Sequence, residues 1–185
     1  MKSLSFKIRG VVPLLCHNGQ TADPLNDFAI SLKQVTKKKI KGEEDHIEMG
    51  RIEFLAGLYV EGGKPCLPGH VIEAALIEGA KRTKQGKLAK LGLLVEKNSI
   101  LIYEGPKDPD EMFKNKAFQF RFPVRVGLSK VMRTRPRFDT WETKIEIQYD
   151  PLVFSATDVK DILETTGRSV GIGDWRPKFG RFEVV

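Results

Sequence analysis

The chain has few cysteines and no long apolar run. Its two cysteines among 185 residues, Cys16 and Cys66, are too few for a disulfide framework or a thiolate zinc site. No stretch of about 20 apolar residues is present, which excludes a membrane-spanning helix. The N-terminal segment MKSLSFKIRG lacks the apolar run of a secretory signal. We therefore expect a cytoplasmic protein with reduced thiols and no membrane partner.

Histidine is scarce as well. His17, His46 and His70 lie far apart and show none of the short spacings typical of metal ligands. The Gly-x-Gly at Gly171 and Gly173 precedes a strand pattern rather than a helix, which excludes a dinucleotide-binding fingerprint. No Ser/His/Asp or Cys/His arrangement indicates a nucleophile. The sequence predicts neither a metal nor a cofactor.

Positive charge is abundant. Lys and Arg number 31 against 24 Asp and Glu, which gives a net charge of +7. This excess favours a polyanionic partner, with nucleic acid first and an acidic protein surface second. The 41% hydrophobic and 30% charged residues are typical of a folded domain, and the length fits a single domain over residues 1–185.

Apolar periodicity predicts an alternation of strands and helices. Residues 37–44 and 104–115 are predicted connectors. The predicted strands are 4–15, 51–60, 64–67, 122–136, 137–149 and 181–185, and the predicted helices are 27–37, 70–82 and 158–166. This order predicts an α+β fold with an antiparallel sheet and helices on one face.

The stretch GGKPCLPGHVIEAALIEGAKR, residues 62–82, breaks the chain abruptly before a helix. Pro68 cannot lie inside a helix, and Gly69 permits a sharp entry. Outward-pointing N–H groups at such a helix start are suited to phosphate. The alternative is a tight hairpin-to-helix junction that binds no ligand.

Two further segments combine positive charge with features of nucleic-acid binding. The C-terminal GIGDWRPKFGRFEVV interleaves glycine, basic and aromatic residues, as single-strand binding surfaces do. Arg133, Arg135 and Arg137 alternate, so on a strand they would share one face, with only Asp139 and Glu142 near them in sequence. Phosphate would neutralise them; the alternative is a solvated edge strand.

The segments before and after the central strands resemble the RAMP superfamily of CRISPR-associated RNA-binding proteins, nearest to the backbone subunit that coats CRISPR RNA. The motifs are the P-x-x-P-G turn Pro65–Gly69 with its basic-ended helix, and the Gly-rich segment 167–173 with Phe179–Phe182. The chain differs after the turn, where His70 to Glu73 replace the usual Ser-Ser-Leu-Lys.

The resemblance implies a ferredoxin-like (RRM-like) core in one RAMP-like domain, with a loop and a long projecting hairpin within residues 104–150. It implies a non-catalytic subunit of antiviral defence that assembles with its own copies along single-stranded, crRNA-like RNA and joins other effector subunits. The candidate RNA-binding residues are Arg9, Lys81, Arg82, Lys84, Arg133, Arg135, Arg137, Gly171, Gly173, Trp175, Arg176, Lys178 and Gly180.

Two alternatives stay open. The first is a metal-independent endoribonuclease of the same superfamily, with His17 as general base. Glu53 is a further catalytic candidate, because it lies near the position of an aspartate in target-cleaving backbone subunits. The second is a protein of a virus or mobile element that uses the same fold to bind a protein partner.

Overall fold

The computed structural model describes all residues from Met1 to Val185 and shows an α+β fold with antiparallel strand pairs. The strands are β1 (Lys2–Gly10), β2 (Leu14–Leu15), β3 (Val60–Glu61), β4 (Lys64–Leu67), β5 (Leu93–Leu94), β6 (Ser99–Ile102), β7 (Gln119–Val126), β8 (Ser129–Phe138), β9 (Glu142–Tyr149) and β10 (Phe182–Val184). The helices are α1 (Asp27–Thr36), α2 (Glu43–Gly57), α3 (Gly69–Lys81), α4 (Gly86–Gly92), α5 (Pro109–Lys114) and α6 (Ala156–Ser169). None of these helices has the length and apolar character needed to cross a membrane.

The chain divides into two compact units. Unit 1 comprises Met1–Leu14, Val60–Glu104 and Phe138–Val185, and unit 2 comprises Leu15–Tyr59 and Gly105–Arg137. Each unit is therefore assembled from segments that are separated in sequence.

A seven-stranded sheet forms the centre of unit 1, in the order β10-β1-β9-β6-β4-β3, with β5 paired to β9. Strands β1 and β9 pair along nearly their whole length, from Lys2 opposite Tyr149 to Arg9 opposite Glu142. Side chains alternate between the two faces of a strand, so Ile8, Ile145 and Ile147 are fully buried while their neighbours point outward.

Helices α3 and α6 of unit 1 pack closely against each other. A Cβ added to Gly79 of α3 would overlap the side chain of Thr166 on α6. Thr166 is fully buried, and its hydroxyl donates to the Ile162 carbonyl 2.7 Å away. The small residue is thus what allows the two helix backbones to approach.

Unit 2 contains helices α1, α2 and α5 and a three-stranded sheet in the order β2-β8-β7. Strands β7 and β8 form a hairpin in which Val126 pairs with Ser129, leaving a two-residue turn. Gly127 occupies the first turn position with φ of 60°, a conformation that glycine adopts without strain. Phe54 of α2 packs against Phe113 of α5, with ring centroids 5.6 Å apart.

One predicted strand is wrong, because residues 51–60 lie mostly in helix α2. The helix begins at Glu43 with three acidic residues in its first turn, which stabilise a helix N-terminus. Its buried residues Ile52, Phe54 and Ala56 alternate because the helix is covered on two sides, by α1 and by α5. This double coverage produces a period near two that resembles a strand.

The predicted long hairpin pairs the wrong segments. The structure places the turn at 127–128, inside the predicted strand 122–136, and β9 pairs with β1 in unit 1 instead. The predicted connector 104–115 also contains helix α5, and the basic segment after α3 contains the start of α4. The helices predicted at 27–37, 70–82 and 158–166 are confirmed.

Candidate nucleic-acid interface

The abrupt entry into α3 is explained by packing within unit 1. The N–H of Gly69 donates to Asn98 Oδ1 at 3.2 Å, and a Cβ on Gly69 would overlap the Val95 carbonyl oxygen. Glu73 accepts a hydrogen bond from the Val95 N–H at 3.0 Å. The start of α3 is thus covered by its own chain, which matches the tight junction and not a phosphate site.

The opposite end of α3 carries a concentration of lysines. Lys81, Lys84, Lys87 and Lys90, together with Gly86, line a hollow of about 290 Å³, called here the lysine groove. All four lysines are exposed. Sequence reasoning identified Lys81 and Lys84 but missed Lys87 and Lys90. Their spacing of three residues would have placed them on one helix face if α4 had been recognised.

The Gly-rich loop from Val170 to Arg181 is held together by its own backbone. The N–H of Ile172 donates to the Gly180 carbonyl at 2.9 Å, and the Gly180 N–H donates to Pro13 at 2.8 Å. Gly171 and Gly180 are buried and have positive φ, and a Cβ on either would overlap backbone atoms of the loop. These two glycines therefore shape the loop from inside.

The tip of the same loop is exposed. Trp175 is 45% exposed, and the Lys178 ammonium lies 5.0 Å from the centre of its ring, within cation–π range. The Phe179 ring is 5.8 Å from Trp175 and is buried, which supports the tryptophan from below. Gly173 has φ of 85° and lies half-exposed before the tip, next to the exposed Arg176. The tip thus presents an aromatic ring and two cations to solvent.

The loop tip lies within electrostatic range of the end of α3, although the two are far apart in sequence. The pKa of the Glu78 carboxyl on α3 is held below its ordinary value by the hydrogen bond from Lys81, and the positive charges of Arg176 and Arg82 contribute. Arg176 therefore lies within electrostatic range of the last turn of α3. The lysine groove, Arg82 and the loop tip form what we call the basic face of unit 1.

Arg9 lies elsewhere, on the outer face of the unit 1 sheet. Its guanidinium contacts Glu142 at 2.6 Å, and Lys7 contacts the same carboxylate at 2.5 Å. Farther along, Glu146 pairs with Lys97 at 3.1 Å. Charges of both signs alternate here, and strands β1 and β9 present serine, charged residues and glutamine on this face rather than aromatic rings. The face therefore lacks the stacking platform by which RRM-type sheets bind bases.

The three alternating arginines all lie on β8 and share one face of it, although the predicted strand boundary fell between Pro136 and Arg137. Arg133 has a counter-charge that the sequence analysis did not anticipate: its Nη1 lies 2.5 Å from Glu53 Oε1. The second oxygen of Glu53 accepts the Thr134 N–H at 2.9 Å. Glu53 was not identified from the sequence as the partner of Arg133, because a strand was predicted where Glu53 lies in helix α2.

His17 and Glu53, the two catalytic candidates, line one hollow of unit 2 together with Arg133 and Arg135. This arginine cleft has a volume of about 350 Å³. Partial burial lowers the pKa of His17, and the charges of Arg135 and Arg133 lower it further. Burial also lowers the pKa of Arg135, with the Arg133 charge adding to the effect. Arg137 is not among the residues that line the cleft.

No cluster of three or more His, Cys, Asp or Glu side chains is placed to hold a metal ion. Comparison with known protein families finds no family model that matches this chain, and comparison with curated proteins finds no significant match. Function therefore has to be inferred from the geometry and charge of the molecule.

Proposed function

We propose that the protein is a non-catalytic subunit that binds single-stranded RNA, mainly through the basic face of unit 1. The observation that carries the proposal is the concentration of exposed lysines in the lysine groove at the end of α3. The charge of Arg176, from the tip of the Gly-rich loop, also acts on Glu78 of α3, so cations from two distant segments contribute to the field at this end of the helix.

The chemistry of this face suits an RNA strand. Flexible lysines act as point charges toward backbone phosphates and contribute affinity without sequence preference. An exposed aromatic ring such as Trp175 offers a stacking surface that accepts any base. Glu78 is the acidic residue among these cations, and it is paired with Lys81.

The topology of unit 1 supports the resemblance to the RAMP superfamily. The strands β10-β1-β9-β6 lie in this order, with α3 between β1 and β6 in sequence and α6 between β9 and β10. A ferredoxin-like core has its elements in the order β-α-β-β-α-β, and this agreement supports the proposal. We propose such a core for unit 1 and assign the β7–β8 hairpin as the family's projecting hairpin. The subunit would then assemble with copies of itself along crRNA-like strands, beside other effector subunits.

The endoribonuclease alternative has one observation in its favour, the shared cleft of His17 and Glu53. General acid–base cleavage needs two groups that can exchange protons with the substrate. Both oxygens of Glu53 already accept hydrogen bonds from β8, so His17 is left without an evident partner for the second role. The arrangement favours binding over cleavage.

Incubation with a labelled stem-loop RNA in EDTA separates these functions. We expect the RNA to stay intact. Cleavage that is lost in His17→Ala would support the endoribonuclease and contradict the non-catalytic proposal.

Purification tests the other alternative. A protein that purifies free of nucleic acid and binds no strand at low salt would favour a protein partner.

The decisive experiment removes charge from the lysine groove. The triple variant Lys84→Gln, Lys87→Gln, Lys90→Gln should flatten the dependence of log affinity on log salt by about 2, at about 0.7 per phosphate contact on single strands. A matched control, Lys33→Gln, Lys37→Gln, Lys39→Gln, removes the same charge from exposed lysines of unit 2. Equal slopes for the two triple variants would contradict the proposed RNA path.

A further inference from the structure

We propose that the arginine cleft of unit 2 is a binding site for a single phosphate group, with His17, Arg133 and Arg135 as its recognition residues. The cleft lies wholly within unit 2, and the inference does not depend on RNA binding by the basic face of unit 1.

The position of His17 is fixed by hydrogen bonds of the backbone around it. The Cys16 N–H donates to the Pro136 carbonyl on β8 at 3.0 Å, and the Asn18 N–H donates to Gly57 at 3.0 Å. The Tyr59 hydroxyl donates to the carbonyl of His17 itself, also at 3.0 Å. The backbone that carries the imidazole is thus fixed in place before any ligand arrives, which lowers the entropic cost of binding.

The charges in the cleft are unequal. Two guanidiniums line it, against the single carboxylate of Glu53, and the His17 imidazole lies beside them. Both oxygens of that carboxylate contact β8, through Arg133 and the Thr134 N–H. Arg135 is half-buried beside a second guanidinium, a position that destabilises its charge. An anion in the cleft would offset this cost directly.

The other residues around the cleft are compatible with a bound phosphate group. Arg135 lies over the Phe122 ring at 5.3 Å, a cation–π contact that orders its side chain. Thr21 and Asn18 also line the cleft and supply further polar groups. A volume of about 350 Å³ falls within the usual range of small-molecule sites, so a phosphate with an attached group can enter.

Titration of the histidine ring by NMR tests the site without any variant. Sulfate is a suitable probe because its charge stays constant over the range in which histidine titrates. A bound dianion stabilises the imidazolium, so the pKa of His17 should rise by about 1 relative to chloride at equal ionic strength. His70 lies on α3 in unit 1 and serves as an internal reference. An unchanged His17, or an equal rise for His70, would overturn the proposal.

A pair of variants assigns the response to the cleft. Arg135→Gln should abolish the sulfate effect on His17, whereas Arg125→Gln, an exposed position on the same hairpin, should preserve it. A response that survives in folded Arg135→Gln contradicts the assigned recognition residues.

Three phosphate probes then identify the source of the group. Inorganic phosphate, adenosine monophosphate and a short RNA strand are each titrated while the His17 signal is followed. Tighter binding of adenosine monophosphate than of inorganic phosphate would identify a nucleotide as the ligand. Equal binding of these two would identify free phosphate. A response to the RNA strand alone would identify a phosphate of the RNA backbone. A failure of all three would overturn the site. The lysine-groove triple variant should lose strand affinity yet keep the sulfate response, so the two proposals can fail separately.

Discussion

Glu53 connects helix α2 to strand β8 and sets the charge of the arginine cleft. Its side chain is only 10% exposed, and it accepts hydrogen bonds from the Arg133 guanidinium and the Thr134 N–H. Hydrogen bonds to a charged group contribute more than neutral ones, and losing them leaves the partner unsatisfied. The residue thus has a structural role whether or not the cleft binds a ligand.

We expect Glu53→Gln to lower the free energy of unfolding by about 1–2 kcal/mol, because the amide cannot neutralise Arg133. Urea denaturation measures the change. Glu111→Gln provides the control, since its ion pair with Lys114 in unit 2 is well exposed and should contribute little. Equal stability of the two variants would mean that the Glu53 contacts do not persist in solution.

His17 makes stability depend on pH. Its pKa is lowered by burial and then by the charges of Arg135 and Arg133, which outweigh the opposing effect of Glu53. The unfolded chain binds a proton near the ordinary value of about 6.5, and the folded protein resists protonation. Stability is therefore unaffected by His17 above that pH and falls as the pH drops below it.

On acidification from about pH 7.5 to 5.5, the wild type and His17→Gln should lose Tm in parallel at first, and the wild type should lose it more steeply below about pH 6.5. Thermal melts followed by circular dichroism across this range give the comparison. Parallel Tm curves for the two proteins would show that the folded environment does not perturb this histidine.

At the scale of whole elements, glycines with similar backbone angles differ in how closely other atoms surround them. Gly180 has φ of 74°, and any Cβ there would overlap the Ile172 carbonyl. Gly63 in the β3–β4 turn has φ of 76° but open space around it. A substitution at either glycine therefore strains the backbone to a similar degree. Only a substitution at Gly180 also produces a steric clash.

Gly63→Ala should destabilise the protein by about 1–2 kcal/mol, the cost of a left-handed conformation for an L-residue. Gly180→Ala should destabilise it by about 3 kcal/mol or more, since overlap with backbone is added. Thermal denaturation of both variants gives the two losses of stability, and the difference between them is the contribution of the steric clash. Equal losses would show that the loop relaxes around the added methyl group.

The sequence predicted those elements whose local signals agree with their packing. Helix α6 has Ser155 as its N-cap, with a capping box to Asp158, and buries one face, and its central part was predicted at residues 158–166. Helix α2 was not, because burial on two sides removed the helical period. Helix α5 carries a readable signal, an Asp108 N-cap followed by Pro109 at the first position, which the surrounding loop residues obscured.

The basic residues of the candidate site could be identified from the sequence, but their contacts with distant residues could not. The alternation of Arg133, Arg135 and Arg137 indicated a shared strand face, although the predicted strands were divided before Arg137. Their sequence neighbours gave no indication of Glu53, which lies 80 residues away from Arg133. The electrostatic influence of Arg176 on Glu78 of α3 likewise joins residues that are far apart in sequence. Long-range pairing of this kind is set by tertiary structure, which local patterns do not encode.

At the scale of the whole molecule, the net charge of +7 governs how copies approach one another. Like-charged copies repel, and the repulsion keeps a basic protein dispersed in the absence of a polyanion. Under the proposed function, RNA phosphates would neutralise the basic face and release counterions, which would remove much of this repulsion. Assembly along a strand should therefore depend on the RNA itself.

We expect the free protein to be monomeric at moderate salt and to form complexes whose mass increases with strand length. Light scattering on two RNA strands, one about twice as long as the other, at saturating protein measures the number of copies per strand. The ratio of bound copies should follow the ratio of lengths, since phosphate contacts carry no sequence information and every segment is equivalent. The lysine-groove triple variant should lower occupancy on both strands while the control triple variant does not. One copy per strand at both lengths would contradict assembly and would indicate that each strand binds a single copy.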